Sequence, residues 1–521
     1  MLEGPTLFGE RTRAEKAELK KLKEKLKVLE KEQNDIINNK LYEGAFEWRF
    51  QFPQLLDDNG LFIGFDIVIG NPPYIDSETM EKSMPEYRSL YKSIYQTAKG
   101  NWDIYVPFIE RGNNLLKTDG IQTYIIPNKL ISVKYTEALR HYISQQTLIS
   151  IRDYGSVSVF EADVYPCVFI LRNNCGIEDS FVSFEMMLDL STYKSHNDIN
   201  INNIRFDLYW DKFFVSTADL ANVVSISKHS KLNEYVTEIC GAATVSEAYD
   251  LKQYIVEYEE CNDDRIFKFI NTGTIDPYST LWGEKKTQYI KSGYNHPVIS
   301  ASQLQNYSIR RYEQSLSPKI IVAGMSLYLE AFYDDDGEYI AGKSTTLILG
   351  DKVNLRYVLA ILNSKLMGYY LRIVFNSLKM AGGYINFGVN ELSQIPIADT
   401  TIKTKLLIGD LVEYIIFIEN NKEKLTDIVS NYAIQDYFKN ILNGCVYELY
   451  FKEHMLEREI NIIDSALELI KPISQLTAKE DKFEVILNTF MTIKKTDNPI
   501  RNRLDLFTLR SPEILKLIIE G

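Results

Sequence analysis

The sequence predicts an α/β fold in its first third, part of a doubly wound sheet, then a mixed α+β region and a helical carboxyl-terminal region. Three observations predict it. Between residues 46 and 174, short apolar runs alternate with helical patterns, the order that builds a sheet with helices on its faces. Between 180 and 398 the strands are irregular and rich in Tyr and Asn, with no helical period until Leu355 to Arg372. Beyond 400, apolar residues recur at helical spacing, as in 403–420, 430–442 and 446–472. A chain of 521 residues holds about three domains. The patterns divide it at 1–45, 46–176, 180–398 and 400–521.

Each element follows from its residues. Over 12–37, Leu19, Leu22, Leu26, Leu29 and Ile36 alternate three and four apart among Lys and Glu. That is a coiled-coil seam of about three heptads. A lone amphipathic helix packing on the next domain is favoured over dimerisation. Phe65-Asp66-Ile67-Val68-Ile69-Gly70 is short, β-branched and bounded by Gly and Pro, as a buried parallel strand reads. The helical stretch around 79–96 puts Tyr87, Tyr91 and Tyr95 on one face, expected in the core. Helix 102–116 precedes strand 121–126, helix 134–146 precedes strand 148–153, and strand 166–172 closes the unit.

Composition narrows the class. An apolar fraction of 45% with 25% charged residues suits a soluble globular protein. No apolar run reaches membrane-spanning length, and the charged amino terminus is not a signal peptide. Cys167, Cys175, Cys240, Cys261 and Cys445 form no Cys-x-x-Cys pair, and the histidines form no His-Glu-x-x-His. The expectation is a reducing cytoplasm, no structural metal and no membrane partner. A net charge of −13 argues mildly against nucleic acid. Yet Lys268 to Lys319 holds seven Lys or Arg against three Asp or Glu, interleaved with aromatics. Lys285, Lys286, Arg310 and Arg311 are the candidates to lie along a phosphate backbone, the alternative being a solvated surface.

The chemistry is concentrated in Asn71-Pro72-Pro73-Tyr74, just past the first strand. In open α/β sheets, sites lie beyond the carboxyl ends of strands. The exocyclic amine of adenine is a poor nucleophile because its lone pair is delocalised into the ring. Two acceptors aimed at its hydrogens favour a pyramidal nitrogen. The Asn71 amide oxygen and the Pro72 carbonyl are suited to that, Pro73 stiffens the turn, and Tyr74 offers a face for an extruded base. The competing reading is a turn in which Pro-Pro only ends the strand and Tyr74 packs.

Beyond Tyr74 the chain resembles the N6-adenine DNA methyltransferases of large fused restriction–modification (type IIG-like) enzymes. The matching text is Gly100-Asn101-Trp102-Asp103-Ile104-Tyr105, Phe108-Ile109-Glu110-Arg111, Leu115 to Gly120, Pro127-Asn128-Lys129, Ala138-Leu139-Arg140, and Asp153-Tyr154-Gly155 to Phe160. The resemblance covers roughly residues 46 to 174 specifically and 265 to 398 more loosely. There Pro318 to Ile321, Leu362 to Leu366, Phe387-Gly388 and Leu392 to Pro396 resemble TaqI-like target-recognition domains. The resemblance implies a Rossmann-like methyltransferase sheet, a DNA specificity domain at 180–398, and double-stranded DNA as partner. It implies a flipped adenine between Tyr74 and Phe160, with Asn71 and Pro72 on its amine and S-adenosylmethionine as donor. A core role competes for Phe160.

The same resemblance exposes a gap. The family's cofactor-cradling glycine loop and its acidic residue are not recognisable here, and Ala381-Gly382-Gly383-Tyr384 and Gly241-Ala242-Ala243 lack the Phe-x-Gly-x-Gly pattern. The expectation is a catalytic half whose cofactor-binding half comes from a separate chain or was truncated. One edge of Phe65–Ile69 is then expected to lack strand partners, lying open or capped by 12–37. Two alternatives remain: a non-catalytic DNA-binding specificity subunit, and a fragment of a bifunctional restriction endonuclease and methyltransferase. Gly337 to Ser344 matches the phosphate-loop expression, but Asp336-Gly337 reads as a hairpin turn and Thr345 to Leu349 as a strand, which rejects it.

Overall fold

The computed structural model describes residues 13–37, 46, 48–131, 133–155, 157–161, 164–175, 180–205, 207, 209–376, 384–421, 425–426 and 428–521. Helix α1 (Arg13–Ile37) comes first. It meets the described body through an exposed ion pair, Lys31 to Glu86 at 3.3 Å. Leu22, Leu26 and Leu29 stay 51%, 44% and 60% exposed. These three leucines therefore do not pack on the next domain, whereas the sequence reading favours such packing for the helix.

A six-stranded sheet follows. Strand β1 (Phe65–Gly70) leads through α2 (Ser77–Ser83), α3 (Pro85–Ile94) and α4 (Tyr105–Asn114) to β2 (Leu116–Pro127). Then come α5 (Glu137–Ser144), β3 (Gln146–Asp153), β4 (Pro166–Cys175), β5 (Phe181–Met187) and β6 (Tyr193–Asn200). The order is β1-β2-β4-β3-β5-β6. Pairs β1–β2 and β3–β5 are parallel, and β2–β4, β3–β4 and β5–β6 antiparallel. The single helix expected over 79–96 breaks at Pro85, which has no N–H to continue it and opens α3 instead. Tyr87, expected in the core, is exposed on α3, while Tyr91 and Tyr95 are half-buried.

Two corrections concern this sheet. It does not close at strand 166–172. Strands β5 and β6 extend it, so the expected boundary at 176–180 falls inside the sheet, and one core runs from Met80 to Phe214. Nor is β1 buried. It is the outermost strand and pairs only with β2 among the described residues, leaving Ile67 63% and Ile69 77% exposed. The reason is geometric. Helix α4 packs on β2 and α5 on β3, joining the same core as Tyr124, Phe169 and Phe184. Strand residues alternate faces, so Ile67 and Ile69 point away from that core. Among the described residues the other edge of β1 has no strand partner, as expected.

The middle region holds two four-stranded sheets. One runs Tyr339–Ala341, Ile266–Ile270, Pro297–Ser300, Val256–Glu257; the other Ala331–Asp334, Lys319–Ala323, Thr345–Leu349, Glu238–Gly241. Helices Lys352–Leu362 and Lys365–Val374 share one large core with Ile402–Asn420 and Asn431–Tyr450. The expected boundary at 398–400 therefore cuts no separate core. Asn431–Tyr450 is one helix where two were expected. Gly444 lies inside it because a Cβ there would meet Ile462 at 2.6 Å and Phe507 at 3.0 Å. The stretch Gly337–Ser344 is turn, strand and turn, with Gly337 at φ 66° and a strand after it. No helix N-terminus is there to receive a phosphate. Among the described residues no helix is long and apolar enough to cross a membrane.

Candidate active site at the end of strand β1

Asn71-Pro72-Pro73-Tyr74 leaves the carboxyl end of β1 directly, because Pro72 and Pro73 cannot donate to a ladder and so end the strand. Asn71 and Pro73 are exposed, Pro72 is buried and Tyr74 half-buried. The Tyr74 hydroxyl donates to the Ile125 carbonyl at 3.0 Å, which ties the turn to β2. Burial pushes the Tyr74 phenol up to about 12, so it stays protonated and keeps that bond. Phe160 comes from the loop after β3. Its ring lies 6.5 Å from that of Tyr74, nearly perpendicular at 85°. A base stacked between two parallel rings needs two spacings of about 3.5 Å each. The separation is therefore close to that of a sandwich, while the Phe160 ring must turn to make one.

The turn is held by the Gly100 to Tyr105 segment. Ile104 N–H donates to the Ile75 carbonyl at 3.0 Å, and Ser77 N–H to Asp103 Oδ1 at 3.3 Å. The buried Asp103 carboxylate also accepts from Lys129 Nζ at 3.1 Å and from the Tyr135 hydroxyl at 2.6 Å. Arg88 donates to the Trp102 carbonyl at 3.0 Å and stacks 4.6 Å over its indole. These residues position the turn and do not reach Asn71 themselves.

A second polar group was not singled out from the sequence. Asp153 ends β3 on the covered face and accepts from Gly155 N–H at 3.0 Å and, at 3.4 Å, from the amide of Asn128 at the end of β2. Burial pushes its carboxyl up to about 6, against those two hydrogen bonds. Asn128 and Tyr154 are locked to the start of β4 by bonds to the carbonyls of Tyr165 and Pro166 at 2.8 and 2.9 Å. Four strand ends thus converge around Tyr74 and Phe160. The signal in the sequence was Asp153-Tyr154-Gly155, a carboxylate just before a glycine at a strand end.

The four basic candidates do not act alike. Lys285 and Lys286 are exposed. Lys285 lies close enough to Asp276 and Glu330 to pull both carboxyls down, against a burial that leaves them raised. Arg310 is exposed and pairs with Glu238 at 2.6 Å. Arg311 is a correction: it is buried, pairs with Glu247 at 2.8 Å and donates to the Gly241 carbonyl at 3.0 Å. Neighbours on a helix point about 100° apart, so one arginine faces out and the next in. Elsewhere, Glu257, Glu259 and His296 place ligand atoms within 4.8 Å of one another. Glu257 already accepts the N–H groups of Asn295 and His296, at 2.9 and 2.7 Å, which accounts for its position.

The described residues do not form a cradle for S-adenosylmethionine. Glycines near the site are filled by protein: a Cβ on Gly70 would meet the Tyr124 ring at 3.3 Å, and one on Gly155 the Asn128 amide at 3.1 Å. The Ala381-Gly382-Gly383 stretch considered from the sequence lies outside the described residues.

Residues 6–160 match the Eco57I restriction-modification methylase family, and 268–397 the TaqI-like C-terminal specificity domain. The type II restriction enzyme and methyltransferase RM.Eco57I of Escherichia coli is 35% identical over 124 residues, 23% of this chain and 12% of that protein. The type II methyltransferase M.BanIII of Aneurinibacillus aneurinilyticus is 21% identical over 450 residues, 71% of this chain and 76% of that one. The solved type IIL restriction-modification enzyme MmeI, in complex with DNA, aligns with a TM-score of 0.42 and 10% identity, covering 86% of this chain and 59% of that one. The matched part of the chain thus spans a small fraction of the first relative's length. Residues 6–160 belong with the Eco57I restriction-modification methylases, and residues 268–397 with the TaqI-like C-terminal specificity domains.

Proposed function

We propose that this chain is a component of a site-specific DNA methyltransferase of a restriction–modification system, acting on the exocyclic N6 of adenine. The observation that carries the reading is the Asn-Pro-Pro-Tyr turn at the end of β1 with Phe160 across from Tyr74. In this reading an adenine leaves the duplex and lies between Tyr74 and Phe160. Its amine donates to Asn71 Oδ1 and to the Pro72 carbonyl, which favours a localised lone pair on the nitrogen. Asp103, Lys129 and Tyr135 keep the turn from drifting. S-adenosylmethionine is the donor the reading implies. The described residues make no cradle for it, so the elements that hold it lie outside them. Those elements lie along the open edge of β1, on the side of the sheet that is left unpaired among the described residues. Lys285, Lys286 and Arg310 contact phosphates of double-stranded DNA, and Arg311 supports that surface from beneath.

A second reading is a DNA-binding specificity subunit that does not itself methylate, which the match of residues 268–397 to a specificity domain supports. One experiment separates the two. The chain is expressed with its flanking genes, and N6-methyladenine in cellular DNA is measured by mass spectrometry. Asn71→Ala is expected to lower methylation about a hundredfold or more, as loss of one preorganised polar group does, while the purified chain binds DNA as before. N6-methyladenine that appears equally with Asn71→Ala would overturn the first reading.

A further inference from the structure

Helix α1 carries an apolar stripe that the site does not use. Leu22, Leu26 and Leu29 form a stripe that the described body leaves exposed, and Leu19 at its head is half-buried. With Leu19 and Leu26 at the first core position of a heptad, Leu22 and Leu29 take the second, and Gln33 takes the next first position. The residues flanking this seam then decide what can cover it. Glu18 and Lys25 precede the first core positions; Lys23 and Glu30 follow the second. In a parallel, in-register pair of such helices, each residue before a first position faces the residue five places on in the other copy. Glu18 meets Lys23 of the second copy, and Lys25 meets Glu30 of the second copy. Both contacts are attractive and both occur twice. Antiparallel pairing in the register that apposes Leu26 with Leu29 sets Lys25 against Lys25. Gln33 at a core position adds a polar contact that is satisfied best opposite itself.

We infer that α1 forms a parallel, in-register two-stranded coiled coil with a second copy of this chain. The leucine exposures and the charge pattern carry the inference together, and it does not depend on the methyltransferase reading. A seam this short is held by few heptads, so association is expected at micromolar rather than nanomolar concentration.

The test uses the full chain in sedimentation equilibrium across the micromolar range. A mass rising toward twice that of the chain is expected. Leu26→Lys should raise the dissociation constant roughly tenfold or more, by placing charge in the seam. Lys25→Glu should weaken association, and Lys25→Glu combined with Glu30→Lys should restore it. That rescue cannot come from a change in folding. Leu26→Cys under oxidation should give a dimer linked through position 26 in both copies. A monomer at every concentration, a dimer indifferent to Leu26→Lys, or a link forming only between Leu26→Cys and Leu29→Cys chains would each overturn the inference.

Discussion

Both faces of the six-stranded sheet carry apolar residues, and these have different fates. On one face, Tyr124 of β2 and Phe169 and Leu171 of β4 share the core of α4 and α5, and Phe184 of β5 is buried against Trp210, Phe213 and Phe214. On the other, Ile67 and Ile69 of β1 stand mostly exposed, Ile121, Ile125, Val168 and Ile170 are half-buried, and Arg152 pairs with Glu185 at 2.7 Å. Burial of an apolar side chain stabilises by about 1.5–3 kcal/mol relative to leaving it exposed. The covered face gains this within the described chain, and the open face does not. Apolar content alone therefore does not tell which strand surface belongs to the core. The presence of a helix above it does.

The largest expected contrast is in stability. Phe169→Ala empties a fully buried site and should cost about 3–5 kcal/mol. Ile69→Ala, on the open face, should change stability by about 0.5 kcal/mol or less. Urea unfolding of both variants measures the difference. Equal costs would show that something covers the open face in solution.

This contrast marks how far the sequence was legible. Strand β1 and its Asn-Pro-Pro-Tyr turn were readable because a β-branched run ended by two prolines has few other meanings. Placing β2, β3 and β4 needed only the alternation of runs and helices. The fate of β1's outer edge followed from asking what would lie beside it. What failed depended on distant partners. β5 joined the sheet through parallel pairing with β3, a contact across 33 residues at Arg152 and Glu185 that no local pattern announces. Arg311 was read as a surface charge because its partner, Glu247, lies 64 residues upstream. Tyr87 was placed in the core by helical spacing, but the helix breaks at Pro85 and turns that residue outward.

Asp153 is a carboxyl on the covered face, pushed up to about 6 from 3.8 by burial. The folded state therefore favours its protonated form. A raised folded value means that its contribution is fully present below the unfolded value and lost as pH rises through about 6. The loss should be at most roughly 3 kcal/mol. Thermal melts between pH 4 and 7 should show a decline that Asp153→Asn removes. An unchanged profile in that variant would mean another group is responsible.

A smaller contrast repeats the same logic on one helix, Ile309–Leu316. Arg310 faces outward and Arg311 inward. Arg311 holds the Glu247 carboxyl down to about 2 and joins that helix to Val245–Lys252. Arg310→Ala should lower the slope of log DNA affinity against log salt by about one and leave folding intact. Arg311→Ala should lower stability first. A salt slope unmoved by Arg310→Ala together with Lys285→Ala and Lys286→Ala would remove this surface from the DNA interface.

The smallest expected effect on the isolated chain is also the most direct probe of the open edge. Replacing Ile67 and Ile69 together by Lys places two cations where the side chains already meet solvent. Neither residue belongs to the covered core, so stability should shift by about 0.5 kcal/mol or less. Inward or edge lysines oppose strand addition, and solubility should therefore rise. Association is where the change should appear. If a separate chain lies along β1 and supplies the donor cradle beside Asn71, the double variant should lose cellular N6-methyladenine while the purified chain stays folded and binds DNA. A variant that unfolds like Phe169→Ala would show that the two faces are not different after all. One that folds and still supports full methylation would leave β1 without a partner and move the donor site elsewhere.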